Sequence, residues 1–225
     1  MSTDGSNAAK RRREGILKVF DRFGDLVSLN ICFVLGCLPI FTIGTSLTAT
    51  FYVTNQLVRG KFGSIRKDYW KSFKLNFKQT TIIWIGIMVI LYLMYIGAQY
   101  ARITTGAIHT VIVGVFIAVM VILLFMSPFL FPLISRYNNT TGKMLGNTLI
   151  LSVKNLGLWL KVFLLWVAPI GVYLVNAKIF VYTWVFWLVF LVAFLAYLTS
   201  MLLKPLFDDL EEEMGLNTEE ENADE

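Results

Sequence analysis

Acidic side chains are almost missing from the body of this chain. Between Asp25 and Asp208 the only acid is Asp68, and it sits among basic residues. Ion-coupled carriers place a carboxylate or histidine inside the membrane as relay or counter-ion, so coupling by this chain alone is not expected, although uniport stays open. The one histidine, His109, falls near the outer end of an apolar run and reads as an interfacial polar residue rather than a proton relay. The G-x-x-x-x-G-K-[ST] phosphate loop, HExxH, GxSxG and CxxC are all missing, and general acid–base chemistry needs a placed carboxylate or imidazole. No catalytic, cofactor-binding or metal-binding residue is therefore assigned. Cys32 and Cys37 lie five apart within one apolar run and read as inert packing residues.

What the chain has is apolar sequence. Its 225 residues are 56% apolar and 16% charged, with a mean hydropathy of +0.66. Soluble domains average about 45–50% apolar and about 25% charged. Charge-free runs occupy residues 26–58, 79–101, 103–135, 162–177 and 179–203, and a helix crosses the hydrocarbon with about 20 apolar residues. A soluble enzyme, a disulfide scaffold, a coiled coil and a disordered protein are excluded. The expected fold is all-α, a polytopic transmembrane helical bundle.

Charge sets the expected topology. All 20 Lys and Arg precede residue 205, whereas ten of the 15 acids follow it. The basic residues fall in short loops between apolar runs, which marks cytoplasmic loops and lipid contact rather than nucleic-acid binding. Lys10, Arg11, Arg12, Arg13, Lys18 and Arg22 precede the first run, and Arg59 to Lys78 follow it. Both clusters belong inside, so residues 26–58 must go out and come back, with Pro39 and Gly44 supplying the break. Six spans result, at about 21–38, 42–59, 79–99, 107–132, 157–175 and 179–203, with both termini cytoplasmic. Five spans, with 26–58 as one kinked helix, is the alternative. A re-entrant hairpin would keep the same sidedness. Residues 1–20 form a basic cytoplasmic segment, 21–205 a single membrane domain, and 206–225 an acidic, disordered tail after Lys204-Pro205. The first apolar run begins late and lacks a small-residue cleavage site, so no cleaved leader is expected.

Three polar features stand out. Thr42, Ser46, Thr50 and Thr54 recur at i, i+4, i+8 and i+12 and share one helix face. That face either packs inside the bundle through hydroxyl contacts or lines a solute path, with Asn30 as a candidate partner across the hairpin. In 62–77, Phe62, Ile65, Tyr69, Phe73 and Phe77 step by three or four, with Arg66, Lys67, Lys71, Lys74 and Lys78 on the other faces. This describes a basic amphipathic helix on the inner leaflet, which either anchors to lipid or docks a partner. Trp70, Trp84, Trp159, Trp184 and Trp187 lie near span ends, as an interfacial belt requires. A faint internal echo links Pro39 and Arg59 to Pro132 and Arg136, each leading through a basic loop to an outward span.

The Leu29-Asn30 pair, the run LPIFTIGTSLTATFYV at 38–53 and the segment from Tyr69 to Gln79, YWKSFKLNFKQ, resemble the YesL family of bacterial membrane proteins over roughly residues 14–205. Asn30, Pro39, Thr42, Gly44, Tyr52, Phe73, Asn76 and Phe77 match its motif; the acidic tail lies outside it. The family is a domain of unknown function whose members are often encoded beside carbohydrate ABC-transporter components. The resemblance implies a plasma-membrane accessory of sugar uptake, partnered by the bilayer and by permease or ATPase subunits. A small uncoupled channel or carrier, and a membrane assembly or lipid-interaction factor, are the alternatives.

Overall fold

A computed structural model describes residues 22–61, 63–175 and 177–215. The basic segment expected at 1–20, Phe62, and the last ten residues lie outside them. The elements are helical throughout the described residues: α1 (22–36), a 3-10 turn (Ile40–Thr42), α2 (Ile43–Arg59), α3 (Ile65–Ala101), α4 (Ala107–Met126), α5 (Leu130–Arg136), α6 (Thr141–Lys154), α7 (Leu156–Val175), α8 (Ala177–Phe186), a π-helical turn (Trp187–Leu191) and α9 (Val192–Glu213).

Helix α2 sits at the centre and packs chiefly against α3, α9 and α5. α1 and α2 form the expected antiparallel hairpin. Leu26 and Leu29 join Val53 and Leu57 in one cluster, and the Ser46 hydroxyl donates to the Phe33 carbonyl at 2.8 Å near the tip. At its other end α2 stops at Gly60, whose φ of +73° is the left-handed value a side chain resists. Lys61 N–H then reaches back to the Gln56 carbonyl and Gly60 N–H to Leu57, closing the helix with a Schellman pair. The chain returns as α3, with Ile65 in the Leu57 cluster.

Four helices are long and apolar enough to cross a membrane: Ile65–Ala101, Ala107–Met126, Leu156–Val175 and Val189–Glu213. In the apolar window of Ala107–Met126 none of the residues is buried inside the protein. Ile108, Val111, Val115, Ile117 and Val121 all face outward. Continuous apolar surface on this scale is not sustained in water. It is the lipid-facing wall of a membrane-embedded helical protein.

The structure departs from the sequence expectations in five places. The basic segment 62–77 is not a separate interfacial helix. Residues 65–77 form the first turns of α3, which runs unbroken for 37 residues, about 55 Å, because nothing between Ser64 and Gly86 interrupts it. The span expected at 107–132 breaks at Ser127-Pro128-Phe129; Pro128 lacks the N–H that would continue the ladder, whereas Pro132 is accepted in the first turn of α5. Residues 141–154, read as loop, form α6, which buries Met144, Thr148 and Ser152 along one face. The tail expected to be disordered from 206 is helical through Glu213, and Pro205 lies inside α9 rather than at its end. Phe207 is fully buried, and this packing outweighs the backbone bond lost at Pro205. Finally, the hairpin turns at residues 37–42, around the expected Pro39, whereas Gly44 lies inside α2.

Gly44 has a different task. A Cβ there would lie 2.8 Å from Trp84 Cβ, 3.2 Å from the Phe131 ring and 3.3 Å from the Thr80 carbonyl, so hydrogen alone lets α3 and α5 close on α2. Gly44→Ala should lower stability by about 1–3 kcal/mol through overpacking. Gly114→Ala on the lipid-facing α4, where nothing lies within 4 Å, should be neutral or stabilising. Thermal unfolding in detergent distinguishes the two.

Candidate functional site

The hydroxyl face of α2 is buried and occupied. The Thr42 hydroxyl lies 2.7 Å from the Gly36 carbonyl and 2.6 Å from that of Pro39, which holds the hairpin turn. Ser46 meets the Tyr69 hydroxyl at 2.7 Å. Thr50 donates to the Ser46 carbonyl at 2.9 Å. Thr54 meets Ser200 of α9 at 2.8 Å. Two further sides of α2, absent from the i, i+4 pattern, are polar and buried too. Thr45 bonds Thr80 and Thr81 of α3 at 2.8 and 3.0 Å. Asn55 donates to the Ser135 hydroxyl of α5 at 3.1 Å. Each neighbour of α2 is thus joined to it by hydroxyl or amide contacts as well as by packing. A solute path along this face would need hydroxyls turned to a lumen, and these are spent on carbonyls and on one another.

The other motif positions spread over the same core. Asn30 is fully buried, and its side-chain oxygen accepts the Ala193 N–H at 2.8 Å, where the π turn gives way to α9. This contact ties α1 to the last helix. Tyr52 is half-buried against the Leu26–Val53 cluster. Trp84 donates its indole N–H to the Ile40 carbonyl at 3.0 Å and Trp159 donates to the Phe125 carbonyl at 3.2 Å. Both tryptophans tie a long helix to the carbonyl next to a break. His109 Nδ1 lies 3.0 Å from the Ala101 carbonyl and closes the α3–α4 connection.

Two charged surfaces flank α2, the first at its Arg59 end and the second along the turns of α3 that run beside it from Ile65 to Thr80. The first is an ion-pair clasp. Arg59, the last residue of α2, donates to Asp208 at 2.6 Å and Glu211 at 2.8 Å on α9. Arg136, the last residue of α5, donates through Nε to Glu211 at 2.5 Å. The Arg136 guanidinium also lies 5.0 Å over the Phe207 ring, and the Tyr137 ring meets Phe207 edge-on at 5.9 Å. Burial and the nearby Glu211 carboxylate push the Tyr137 hydroxyl well above its ordinary range, so it stays a neutral phenol. The sequence signal was available: each arginine closes a charge-free run, and Asp208 and Glu211 are three apart on one helical face. A cleft of about 720 Å³ opens beside the clasp, with Asn139, Lys154, Asp209 and Met214 on its walls.

The second surface is the basic face of α3. Ile65, Tyr69, Ser72 and Thr80 turn inward, and Asn76 donates to the Ser72 carbonyl at 3.1 Å. Lys71, Lys74 and Lys78 are exposed, together with Leu75 at 76% and Phe77 at 40%. Phe73 is half-buried and stacks between Tyr69 and Phe77. Of the residues expected to contact a partner or lipid, Lys71, Lys74, Phe77 and Lys78 are open. Tyr69, Phe73 and Asn76 serve the bundle, and Phe62 is undescribed.

Glu211 is 12% exposed and Arg136 9%, against 42% for Asp208. Glu211→Gln should therefore cost about 3 kcal/mol, because it leaves two largely buried guanidiniums with the single, more exposed carboxylate of Asp208. Asp208→Asn should cost about 1 kcal/mol or less. Denaturation of the purified protein in mixed micelles gives both values.

Residues 26–98, from α1 through most of α3, match the sequence model of a family described as "Protein of unknown function, DUF624". No curated protein and no solved structure matches the chain.

Proposed function

We propose that this is a non-catalytic membrane protein that works by docking, with the basic face of α3 as the surface offered to a partner. The observation that carries the reading is the exposed set Lys71, Lys74 and Lys78 beside Leu75 and Phe77. These lysines have no ion-pair partner among the described residues. Exposed lysines flanking apolar side chains suit an acidic protein surface with an apolar centre. The scarcity of carboxylates and histidine in the body supports a role without chemistry of its own.

In its finer form the reading has the α1–α2 hairpin re-entrant beside the basic turns of α3, where Thr45 bonds Thr80, with both termini and the Arg59 end of α2 on the cytoplasmic side of the plasma membrane. What supports it is the concentration of basic residues before α1 and between α2 and α3. The partner is then a permease or ATPase subunit of a carbohydrate importer, a choice that rests on the sequence resemblance at 38–53 and 69–79.

Lys71→Gln, Lys74→Gln and Lys78→Gln combined should leave membrane insertion and thermal stability unchanged, since none of the three is buried. The triple variant should recover at least about tenfold less partner on affinity purification from native membranes, the loss of roughly 1.4 kcal/mol. Unchanged recovery overturns the docking reading.

A further inference from the structure

The acidic residues outside the described chain have a matching surface within it. Residues 216–225 carry Glu219, Glu220, Glu221, Asp224 and Glu225 and no base. Arg66, Lys67, Lys71, Lys74 and Lys78 line the exposed side of α3. The only acid among them, Asp68, accepts the Gly63 N–H at 3.2 Å. No described residue answers the five positive charges.

The fold brings the two together. Gln79, next to Lys78, donates to the Asn139 carbonyl at 2.9 Å. Asn139, Glu213 and Met214 line one cleft, so Gln79 and the end of α9 both meet the segment around Asn139. At Gly215 a φ of +70° turns the chain out of the helix. Asp209, Glu212 and Glu213 on the last turns of α9 repel the acids that follow and favour the basic side. Ten residues extend over about 33 Å, whereas Lys71 to Lys78 covers about 10 Å of helix. The reach is ample.

We infer that residues 216–225 dock on the basic face of α3 within the same molecule and cover it until a more strongly acidic partner displaces them. This rests on the docking reading above for its consequence but not for the contact itself. A tethered segment competes at millimolar effective concentration, so its five acids raise the threshold for any partner that uses the same lysines.

The test uses the full chain, one copy per nanodisc of phosphatidylcholine, and a zero-length carbodiimide that joins an ammonium to a carboxylate in direct contact. Cross-links from Glu219, Glu220 or Glu221 to Lys71, Lys74 or Lys78 are expected, and they should fade in 1 M salt, where the Debye length is about 3 Å. Cross-links that join isotopically distinct copies at two copies per disc, with none within a copy, overturn the inference in favour of a second chain. No tail cross-link in phosphatidylcholine, with the lysines protected from acylation only when phosphatidylglycerol is added, overturns it in favour of the anionic leaflet. A fluorescent decaglutamate probe separates contact from consequence. It should bind about tenfold more tightly to the Glu219→Gln, Glu220→Gln, Glu221→Gln variant than to the parent. Cross-links with unchanged probe binding would support the contact and remove the docking reading; probe binding to the parent as tight as to the variant, without cross-links, would remove the contact and keep the docking reading.

Discussion

A hydroxyl buried inside the protein has no water to take over a broken hydrogen bond, and the central helix obeys that constraint on every side. Thr45, Thr48, Thr50 and Thr54 of α2 are fully buried. Each has an acceptor in a helix carbonyl or a facing hydroxyl. A buried hydroxyl without a partner costs a few kcal/mol, and the contacts that leave the helix, Thr45 to Thr80, Thr54 to Ser200 and Asn55 to Ser135, fix the rotation of α2 against α3, α9 and α5. Association of helices in lipid gains little from the hydrophobic effect and depends on close approach and polar contacts. Gly36 and Gly44 permit that approach. A Cβ at Gly36 would stand 2.2 Å from the Tyr69 hydroxyl, in the space that the Ser46–Tyr69 bond occupies.

The same need for partners explains the clasp. Arg59 and Arg136 end the two short helices that point toward α9, and both meet Glu211. Two guanidiniums share two carboxylates, so the buried cluster is close to neutral. Such a pair adds little net stability relative to apolar packing, yet breaking it is expensive. Its effect is to set where α9 ends its course against α2 and α5. That placement carries Met214 to the cleft.

A division of labour follows along the molecule. The half containing α1, α2, the start of α3, α5 and α9 holds most of the buried residues. The remainder of α3, with α4, α7 and α8, presents apolar side chains outward. Stability resides in the first half, and contact with lipid belongs to the second. The basic face of α3 leaves the packed half on its outer side, so a partner can engage it without disturbing the core.

Much of this was legible in the residues. The all-helical membrane class, the α1–α2 hairpin, the long apolar helix at 156–175 and the burial of the Thr42–Thr54 face follow from length, periodicity and the need to keep buried polar groups bonded, which are local properties. The sequence could not say whether 62–77 and 79–99 were one helix or two, because a polar-to-apolar boundary looks the same in a bent chain and in a straight helix leaving the membrane. Nor could it place Glu211 against Arg59 and Arg136, or Asn30 against Ala193. Those pairs are separated by more than seventy positions, and only the packing of α9 along α2 brings them into contact. Composition determined the solvent this protein lives in; tertiary structure decided which charges meet, since electrostatic partners are set by distance in space and not along the chain.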